Sequence, residues 1–486
     1  MTLNASGPIS LGGGTAGESV NLELGQSATT TISFNDANVR TLTGTSSGST
    51  LNLPSGFWGK SSVSYFLSTY NESASLNSGF DTIQTDASGN IYVTGSGFTG
   101  PVILKYASSG TYTSNVKFTT SSITSTTDIS SNSLLRVGNN LYMGVSEDLG
   151  SGDTVSSYAT LNTSLTPTDF KYNNTYVNPQ TLLTSDASNN LYVISLYQNS
   201  STNVNYTNVY KYDSSGNLLW SYTYNCANGF SAAACTTDPS GNLYLAGRVY
   251  TSSYSSGGLV KINSSGSVVW STQYKASTSD RGGIFLSVEA NNSEIYVGVY
   301  GWSTGQYYGP IFKFDTNGSL IFAKGVPYFG NISASPLSLY SGGLYAGYNN
   351  GAIIKFDSSL NVLWCNKLVQ SPGNFQHQVE LRSVKQLSGD SLLVAGIIGV
   401  PTYRIGGILG SLPTDGTHNS GSIITVGSLS FTYAPYTTTS TTPVDISAFY
   451  TQSNPGITAS ALSNPFTAGS YSSTTISGTA SGPTTV

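Results

Sequence analysis

The sequence predicts an all-β protein whose centre is a β-propeller of seven blades. A motif centred on a tyrosine occurs seven times at steps of 48 to 52 residues, and a second motif that ends in an aromatic residue lies between its copies. Only 8% of the residues are charged, whereas the 486-residue chain contains 54 glycines and 33 tyrosines. This composition suits short strands joined by tight polar turns, and a repeat of this length suits the blades of a propeller.

The tyrosine motif is clearest in Asp86-Ala-Ser-Gly-Asn-Ile-Tyr-Val-Thr-Gly95 and in Asp238-Pro-Ser-Gly-Asn-Leu-Tyr-Leu-Ala-Gly247. Its first residues predict a hairpin turn that the aspartate caps and in which the glycine takes a positive φ. Its last glycine suits the crowded inner region where the blades converge on the axis. The central position of the seven copies is occupied by Tyr92, Tyr142, Tyr192, Tyr244, Tyr296, Tyr345 and Leu393.

The second motif is exemplified by Val209-Tyr-Lys-Tyr-Asp-Ser-Ser-Gly-Asn-Leu-Leu-Trp220. It predicts a second hairpin, so each unit contains four short strands, as a propeller blade does. A β-helix would repeat at much shorter intervals, and a β-sandwich would not repeat. We interpret the final aromatic position as a contact between blades rather than a ligand-stacking site, because it recurs in blade after blade. It is occupied by Trp220, Trp270, Phe322 and Trp364.

The repeats divide the chain into three parts. Residues 1–61 form an N-terminal module, residues 62–430 the seven-bladed propeller, and residues 431–486 a Ser/Thr-rich C-terminal extension with β or extended structure. The segment from Tyr65 to Tyr70 is a candidate strand for closing the ring against the last blade, but the sequence does not decide this. We expect the last 15 residues to be flexible or to be ordered only on a partner.

Composition excludes several functional classes. The formal net charge is −5 with only 18 Lys and Arg, which argues against nucleic-acid binding. No apolar run is long enough for membrane insertion, and the first residues lack the basic and apolar regions of a secretory signal. A surface suited to the extracellular medium without an export signal is typical of a virion protein, which assembles in the host cytoplasm and is released by lysis.

The repeats resemble two known groups of propellers. The tyrosine motifs resemble the β-propeller repeats of many bacterial surface proteins. The Lys-x-Asp-x-x-Gly-x-x-x-Trp copies resemble the tryptophan-docked blades of quinoprotein dehydrogenases and their non-enzymatic relatives. Together they cover roughly three quarters of the chain, and they indicate fold rather than function. The adjacent cysteine pair of the quinoprotein pocket is absent, so the resemblance implies no quinone, and we expect no cofactor.

The N-terminal module resembles a small module of tailed-bacteriophage virion proteins, in which it precedes diverse distal domains. The match includes Gly7-Pro-Ile-Ser-Leu11, Asn35 to Gly44, and Gly56-Phe-Trp-Gly-Lys-Ser61. Leu412-Pro-Thr-Asp-Gly-Thr417 also resembles the junction that follows the blades in such phage proteins. The resemblance implies that residues 1–61 attach the protein to other virion subunits; the alternative is a generic Gly/Ser-rich extension that caps the propeller. The residues expected to act in assembly are Phe57, Trp58 and Lys60.

No catalytic site is predicted. The two histidines, His377 and His418, lie about 40 residues apart, and no Gly-x-Ser-x-Gly elbow accompanies them. Carboxylates paired across a propeller face stay open as an alternative, but most acidic residues occupy the predicted hairpin turns. We therefore expect a protein that is not an enzyme.

No metal site is predicted either, although the hairpin turns invite a comparison. Asp86, Ser88 and Asn90 have the 1, 3, 5 spacing of a calcium loop, but no acidic residue follows at the twelfth position, so turn capping is favoured. The sparse acidic group of Glu147, Asp148 and Asp153 is no better supported. The sequence leaves open whether Cys226 and Cys235 form a disulfide or are free, like Cys365.

Three loops of consecutive blades are rich in aromatic residues, and all three join the second and third strands of a blade. They span residues 197–206, 250–254 and 300–308. We expect them to form one patch in which the rings stack on sugars while Asn, Gln and Ser bind hydroxyl groups. The alternative is a contact with another virion subunit. The candidate contact residues are Tyr197, Tyr206, Tyr254, Tyr300, Trp302, Tyr307 and Tyr308.

These features predict a bacteriophage virion structural protein, associated with the tail as a fibre, tip or baseplate component. Its propeller would face outward for recognition of a host-surface glycan or for subunit contacts, with several copies in a symmetric particle. Alternatives are a head decoration or fibre protein, and a cellular surface propeller that acts as scaffold or adhesin. A carbohydrate-active or redox enzyme is the least supported.

Overall fold

In the computed structural model, seven blades of antiparallel strands surround one axis, which confirms the predicted all-β, seven-bladed propeller. Two short helices, α1 (Val20–Glu23) and α2 (Ala37–Thr43), precede it. The structure describes residues 3, 11, 14–15, 18–34, 36–43, 66–72, 79–96, 101–120, 130–148, 154–173, 180–199, 201–202, 204–250, 255–276, 284–300, 309–325, 334–371, 378–387, 391–400, 403–414, 423–426, 429–435, 444–445, 450–454, 456–461, 467–468, 471–474 and 478–485.

Blades 1 to 6 each contain four strands that are consecutive in the chain. Blade 1 consists of β2 (Gly79–Thr85), β3 (Ile91–Ser96), β4 (Val102–Tyr106) and β5 (Tyr112–Thr120), and blade 2 of β6 (Ser130–Val137), β7 (Asn140–Asp148), β8 (Thr154–Asn162) and β9 (Pro167–Asn173). Blade 3 consists of β10 (Thr181–Ser185), β11 (Leu191–Gln198), β12 (Asn205–Tyr212) and β13 (Leu218–Asn225), and blade 4 of β14 (Phe230–Thr237), β15 (Leu243–Tyr250), β16 (Ser255–Ile262) and β17 (Val268–Ala276). Blade 5 consists of β18 (Ile284–Ala290), β19 (Glu294–Tyr300), β20 (Ile311–Asp315) and β21 (Leu320–Gly325), and blade 6 of β22 (Ala334–Tyr340), β23 (Gly343–Tyr348), β24 (Ala352–Asp357) and β25 (Val362–Ser371).

Blade 7 is assembled from both sides of the propeller sequence. Its first three strands are β26 (Gln378–Gln386), β27 (Ser391–Val400) and β28 (Tyr403–Pro413), and its fourth is β1 (Phe66–Glu72). β1 pairs antiparallel with β28, which confirms the candidate closing strand. The Ser68 hydroxyl then donates a hydrogen bond to the carbonyl of Gly110 in blade 1 at 2.9 Å. The ring is thus closed by non-covalent pairing between distant parts of the chain.

The first strand of every blade lies nearest the axis and contacts the first strands of both neighbouring blades. The innermost strand lies very close to the second strand of its blade, as the glycine of the tyrosine motif shows. β14 is bulged between Ala232 and Ala234, and a Cβ at Gly247 would meet the Ser231 carbonyl oxygen and lie 2.7 Å from the Cα of Ala232. The glycine therefore allows the bulged inner strand to approach β15, as the sequence predicts.

Each blade is also extended at its outer edge by the C-terminal segment, which we call the belt (residues 423–485). The belt strand β30 (Leu429–Pro435) pairs with blade 6, and the strands that follow it pair with blades 5, 4, 3, 2, 1 and 7 in turn, so the belt runs around the ring in the direction opposite to that of the blades. The strand before it, β29 (Ile423–Val426), forms a hairpin with β30 and lies beside the last belt strand, β36 (Gly478–Thr485), so the end of the belt reaches its beginning. The strands are β29 (Ile423–Val426), β30 (Leu429–Pro435), β31 (Val444–Asp445), β32 (Tyr450–Ser453), β33 (Thr458–Ala461), β34 (Thr467–Ala468), β35 (Tyr471–Thr474) and β36 (Gly478–Thr485).

The belt corrects one expectation about the C-terminus. The last 15 residues were predicted to be flexible or to need a partner, but Gly478–Thr485 pairs with β1 of the same chain. The prediction was wrong because it considered side chains, whereas an edge strand offers backbone N–H and C=O groups that any sequence in extended conformation satisfies. The belt covers part of the outer edge of all seven blades.

Tyrosine, lysine and tryptophan side chains link most neighbouring blades in the same way. In blade 3, Lys211 lies with its Nζ 4.8 Å from the ring centroid of Tyr192. Its Nζ and the Trp220 Nε1 both donate to the carbonyl of Ser264 in blade 4, at 3.2 Å and 3.0 Å. The predicted role of the tryptophans as contacts between blades is confirmed. The carbonyl oxygens that accept a lysine in this way belong to Thr163, Ser264, Thr316, Ser358 and Thr414.

The described part of the N-terminal module has a small core of its own. Leu3, Val20, Val39 and Leu42 are buried together. The side chain of Ser19 caps α1 by accepting a hydrogen bond from the Leu22 amide at 3.4 Å. This part of the chain therefore forms a helical cluster rather than further strands.

Candidate functional site

The loops that join the second and third strands of blades 3, 4 and 5 carry the predicted contact residues. In blade 3, Tyr197 and Tyr206 lie directly opposite each other in the β11–β12 ladder. Their ring centroids are 5.6 Å apart with the planes tilted by 33°, and both residues are half-buried. The structure brings these two predicted residues together as a rigid aromatic pair at the end of the hairpin.

The alternation of side chains along β11 shows which neighbouring blade the Tyr197–Tyr206 pair faces. Tyr192 and Ile194 pack in a cluster with residues of blade 4, such as Leu245. Since successive side chains of a strand point to opposite faces, Tyr197 lies on the other face of the sheet, towards blade 2. Tyr206 shares that face because it is the cross-strand partner.

The corresponding loops of blades 4 and 5 are described only in part. Tyr250 ends β15 opposite Ser255, and the guanidinium of Arg248 lies 5.6 Å from its ring centroid. Tyr300 ends β19 opposite Ile284. Among the described residues, no ring contact joins the loops of different blades. The predicted residues that lie outside the described part of the chain are Tyr254, Trp302, Tyr307 and Tyr308.

Two charged residues at the same end of the axis were missed by the sequence reasoning. Asp81 and Arg382 lie at β-bulges in the innermost strands of blades 1 and 7. The Arg382 guanidinium is 2.8 Å from the Glu380 carboxylate and 4.0 Å from that of Asp81. The sequence could have indicated these two residues, because charged residues are rare on the innermost strands. The cluster joins blade 7, in which the ring is closed, to blade 1.

The carboxylates of the hairpin turns accept hydrogen bonds from their own turns. In Asp86, one carboxylate oxygen accepts the amides of Ser88 and Asn90, and the other accepts the Asn90 side-chain amide and the Tyr92 hydroxyl, all at 2.8 to 2.9 Å. Burial acts to raise the pKa of Asp86, but the hydrogen bonds from Asn90 and Tyr92 outweigh it and hold the pKa below its ordinary value. These contacts agree with turn capping rather than calcium ligation.

Because these turns contain carboxylates with lowered pKa values, we expect the stability of the folded protein to decrease in acid. A carboxyl whose pKa is lowered by folding stabilises the protein above its unfolded pKa, and this contribution is lost as the pH falls through the folded value. The pKa is lowered in Asp86, Asp186, Glu294 and Asp357. We expect the thermal midpoint to fall below about pH 4, near the unfolded values. Asp86→Asn, which mimics the natural Asn263 in a turn of the same kind between β16 and β17, should flatten this fall; an unchanged midpoint between pH 7 and pH 2.5 would contradict the account.

The described residues contain no group of three or more His, Cys, Asp or Glu arranged to hold a metal ion. All three cysteines are free, which answers the question that the sequence left open about Cys226 and Cys235. Burial raises the pKa of the Cys235 thiol to about 12, and this side chain packs against the apolar cluster between blades 3 and 4. His377, His418, Phe57, Trp58 and Lys60 lie outside the described residues.

Comparison with models of known protein families gives no match, and the sequence matches none of the curated proteins either. Within the described ranges, no helix has the length and apolar character needed to cross a bilayer. The fold and the geometry of the loop ends therefore carry the functional argument.

Proposed function

We propose that the protein is a structural component of a tailed-bacteriophage virion, associated with the tail, and that its propeller binds a glycan of the host surface. The N-terminal module attaches the propeller to the particle, and the loop ends of blades 3 to 5 face outward. The observation that carries the recognition part is the Tyr197–Tyr206 pair, which is half-buried at the rim of a closed ring.

Three features support binding rather than chemistry. The turn carboxylates of Asp86, Asp186 and Asp238 cap their own turns, and Asp186 also pairs with Lys211 of the same blade. The described cysteines are buried or partly buried free thiols. The ring is fixed on its inner side by contacts between first strands and on its outer side by the belt. A rigid scaffold that positions aromatic residues on loops is a common basis of recognition.

The aromatic pair suits a sugar ring for physical reasons. Tyrosine combines an apolar face, which stacks on the C–H groups of a pyranose, with a hydroxyl group that binds polar substituents. Little conformational entropy is lost on binding, because the two rings already contact each other.

The prediction is that Tyr197→Ala with Tyr206→Ala weakens binding to host surface polysaccharide at least tenfold. The reason is that stacking area is lost from a preformed site. Binding of the purified full-length protein to a polysaccharide array, and to host cells, measures this.

Two variants serve as controls. Tyr197→Phe with Tyr206→Phe keeps the rings and should keep most of the affinity. Val269→Ala changes a side chain that is 52% exposed on the outermost propeller strand of blade 4 and should bind like the wild type. If the double alanine variant, shown to be folded, binds as tightly as the wild type, the glycan site is not at this pair.

A further inference from the structure

The innermost strands of the seven blades carry six charged side chains, which fall into two groups along the axis. Asp81, Glu380 and Arg382 lie near the strand beginnings and interact with one another, as described above. The second group consists of Arg136, Glu289 and Lys385 and lies near the strand ends, beside the turns that lead to the second strands. This end of the axis is opposite the aromatic loops.

The second group is built on a row of hydrogen bonds across three neighbouring blades. The Lys385 ammonium in blade 7 donates to the side-chain oxygen of Gln84 in blade 1 at 2.7 Å. The Gln84 amide donates to the carbonyl of Leu134 in blade 2 at 2.9 Å. In the opposite direction, Arg136 of blade 2 donates a hydrogen bond from Nη1 to the carbonyl of Thr85 in blade 1 at 3.3 Å. Lys385 and Arg136 are thus both bonded to the end of β2, at Gln84 and Thr85.

These contacts leave donors in excess. An ammonium group has three N–H donors and a guanidinium five, and Lys385 and Arg136 each have one hydrogen-bond acceptor among the described residues. The Nε of Arg136 is buried, with no hydrogen-bond partner among the described residues. Burying a cationic donor without an acceptor is costly, so this row favours an acceptor beyond those that the described residues supply.

The positive and negative charges of this second group also do not balance. Glu289 in blade 5 is the carboxylate of this group, and it interacts electrostatically with Lys385. Among the described ion pairs, none joins Glu289 to either cation within 4.0 Å. The neighbouring carboxylate of Asp86 is occupied by its own turn. Two cations and one carboxylate therefore lie at this end of the ring of innermost strands, where charge is poorly screened.

We propose that this end of the axial channel binds a small oxyanion between Lys385 and Arg136. The ligand class is a sulfate, a phosphate or a carboxylate, because such groups offer several oxygens at the spacing that a guanidinium and an ammonium recognise. The anion supplies the acceptors that the two cations lack and links blades 7, 1 and 2 at the side of the ring where it is closed.

The test uses the full-length protein and sodium sulfate, with sodium chloride at equal ionic strength as the reference. Thermal unfolding and calorimetric titration at pH 6.5 should show a saturable stabilisation by sulfate that chloride does not give. Lys385→Met and Arg136→Met should each weaken sulfate binding at least tenfold. Arg382→Gln, which removes a cation three residues earlier in the same strand as Lys385, should retain it. Parallel titrations with phosphate and acetate identify which oxyanion is preferred.

A pH series separates this site from general salt effects. Burial raises the pKa of Glu289 to about 7, with Lys385 opposing, and burial lowers that of Lys385 to about 8, with Glu289 opposing and Arg136 adding to the fall. Sulfate affinity should therefore decrease as the pH rises from 6 to 9, first as Glu289 ionises and then as Lys385 loses its proton. Glu289→Gln should bind more tightly near pH 7.5 and keep only the upper step.

Two results would overturn the proposal. One is a wild-type protein that sulfate, phosphate and acetate stabilise no more than chloride does. The other is a sulfate effect that persists undiminished in both Lys385→Met and Arg136→Met, which would assign these residues to links between blades alone. If a variant is less stable by itself, the melting temperature without anion shows this, and the anion-dependent increment remains measurable.

Discussion

Truncation after Pro435 is expected to destabilise the propeller more than any single substitution in it. The variant lacks β31 to β36 and so exposes the outer edges of six blades, including that of the closing strand β1. The lost ladder hydrogen bonds contribute about 1 kcal/mol each, offset largely by the entropy of ordering the belt. We expect a net loss on the order of 5 kcal/mol, beyond the range of ordinary substitutions, together with aggregation through the open edges. Thermal unfolding and light scattering measure both effects.

A shorter truncation provides the control. Truncation after Ser477 removes β36 alone and should cost a fraction of the full effect, because β31 to β35 still cover blades 1 to 5. Thr458→Ala changes an exposed belt side chain and should leave stability unchanged. A variant truncated after Pro435 that melts with the wild type and stays monodisperse would show that the belt does not hold the ring.

The second large effect is expected at Lys211. This side chain is 4% exposed, and its ammonium lies 3.1 Å from the carboxylate of Asp186 while it also donates to Ser264 of the next blade. Lys211→Met keeps the length of the side chain but leaves a buried carboxylate without its cation. Removing one partner of a buried ion pair usually costs 3–5 kcal/mol, so we expect a loss of about 3 kcal/mol in the free energy of unfolding.

Lys105 is the matched control, because it occupies the same position in blade 1. Its ammonium donates to Thr163 at 2.9 Å and lies over Tyr92, but it is less buried and forms no described ion pair with a carboxylate. Lys105→Met should therefore cost clearly less than Lys211→Met. The double variant Lys211→Met with Asp186→Asn should recover part of the loss. Equal losses for the two single variants would refute the ion-pair argument.

Much of the propeller could be predicted from the sequence because its signals are local. A turn that begins at Asp86 and a strand that contains Tyr92 lie within ten residues of each other, and the pattern recurs at steps of 48 to 52 residues. The glycine at 247 and the tryptophan at 220 repeat for the same reason, since each blade meets the same neighbours. The closing strand near Tyr70 could be proposed because one strand lay outside the seven units.

The belt and the charges near the axis could not be predicted so easily. Ala461 pairs with Tyr222, more than two hundred residues earlier in the chain, and a strand that contributes mainly backbone hydrogen bonds needs no apolar alternation. The prolines offered a weak signal, since Pro443 and Pro465 lie just before or between the short strands of the belt. Lys385 and Arg136 come together only because the ring brings blades 7 and 2 to either side of blade 1.

The most direct test of the functional account is to locate the protein on intact phage particles. A gold-labelled antibody against the propeller, imaged by electron microscopy on purified virions, should mark the tail in several copies and should still bind when only the outer surface is accessible. Deletion of residues 1–61 should abolish the labelling while leaving the propeller folded. Label on the head would correct the assignment to a decoration protein, and the absence of label from virions would contradict the account.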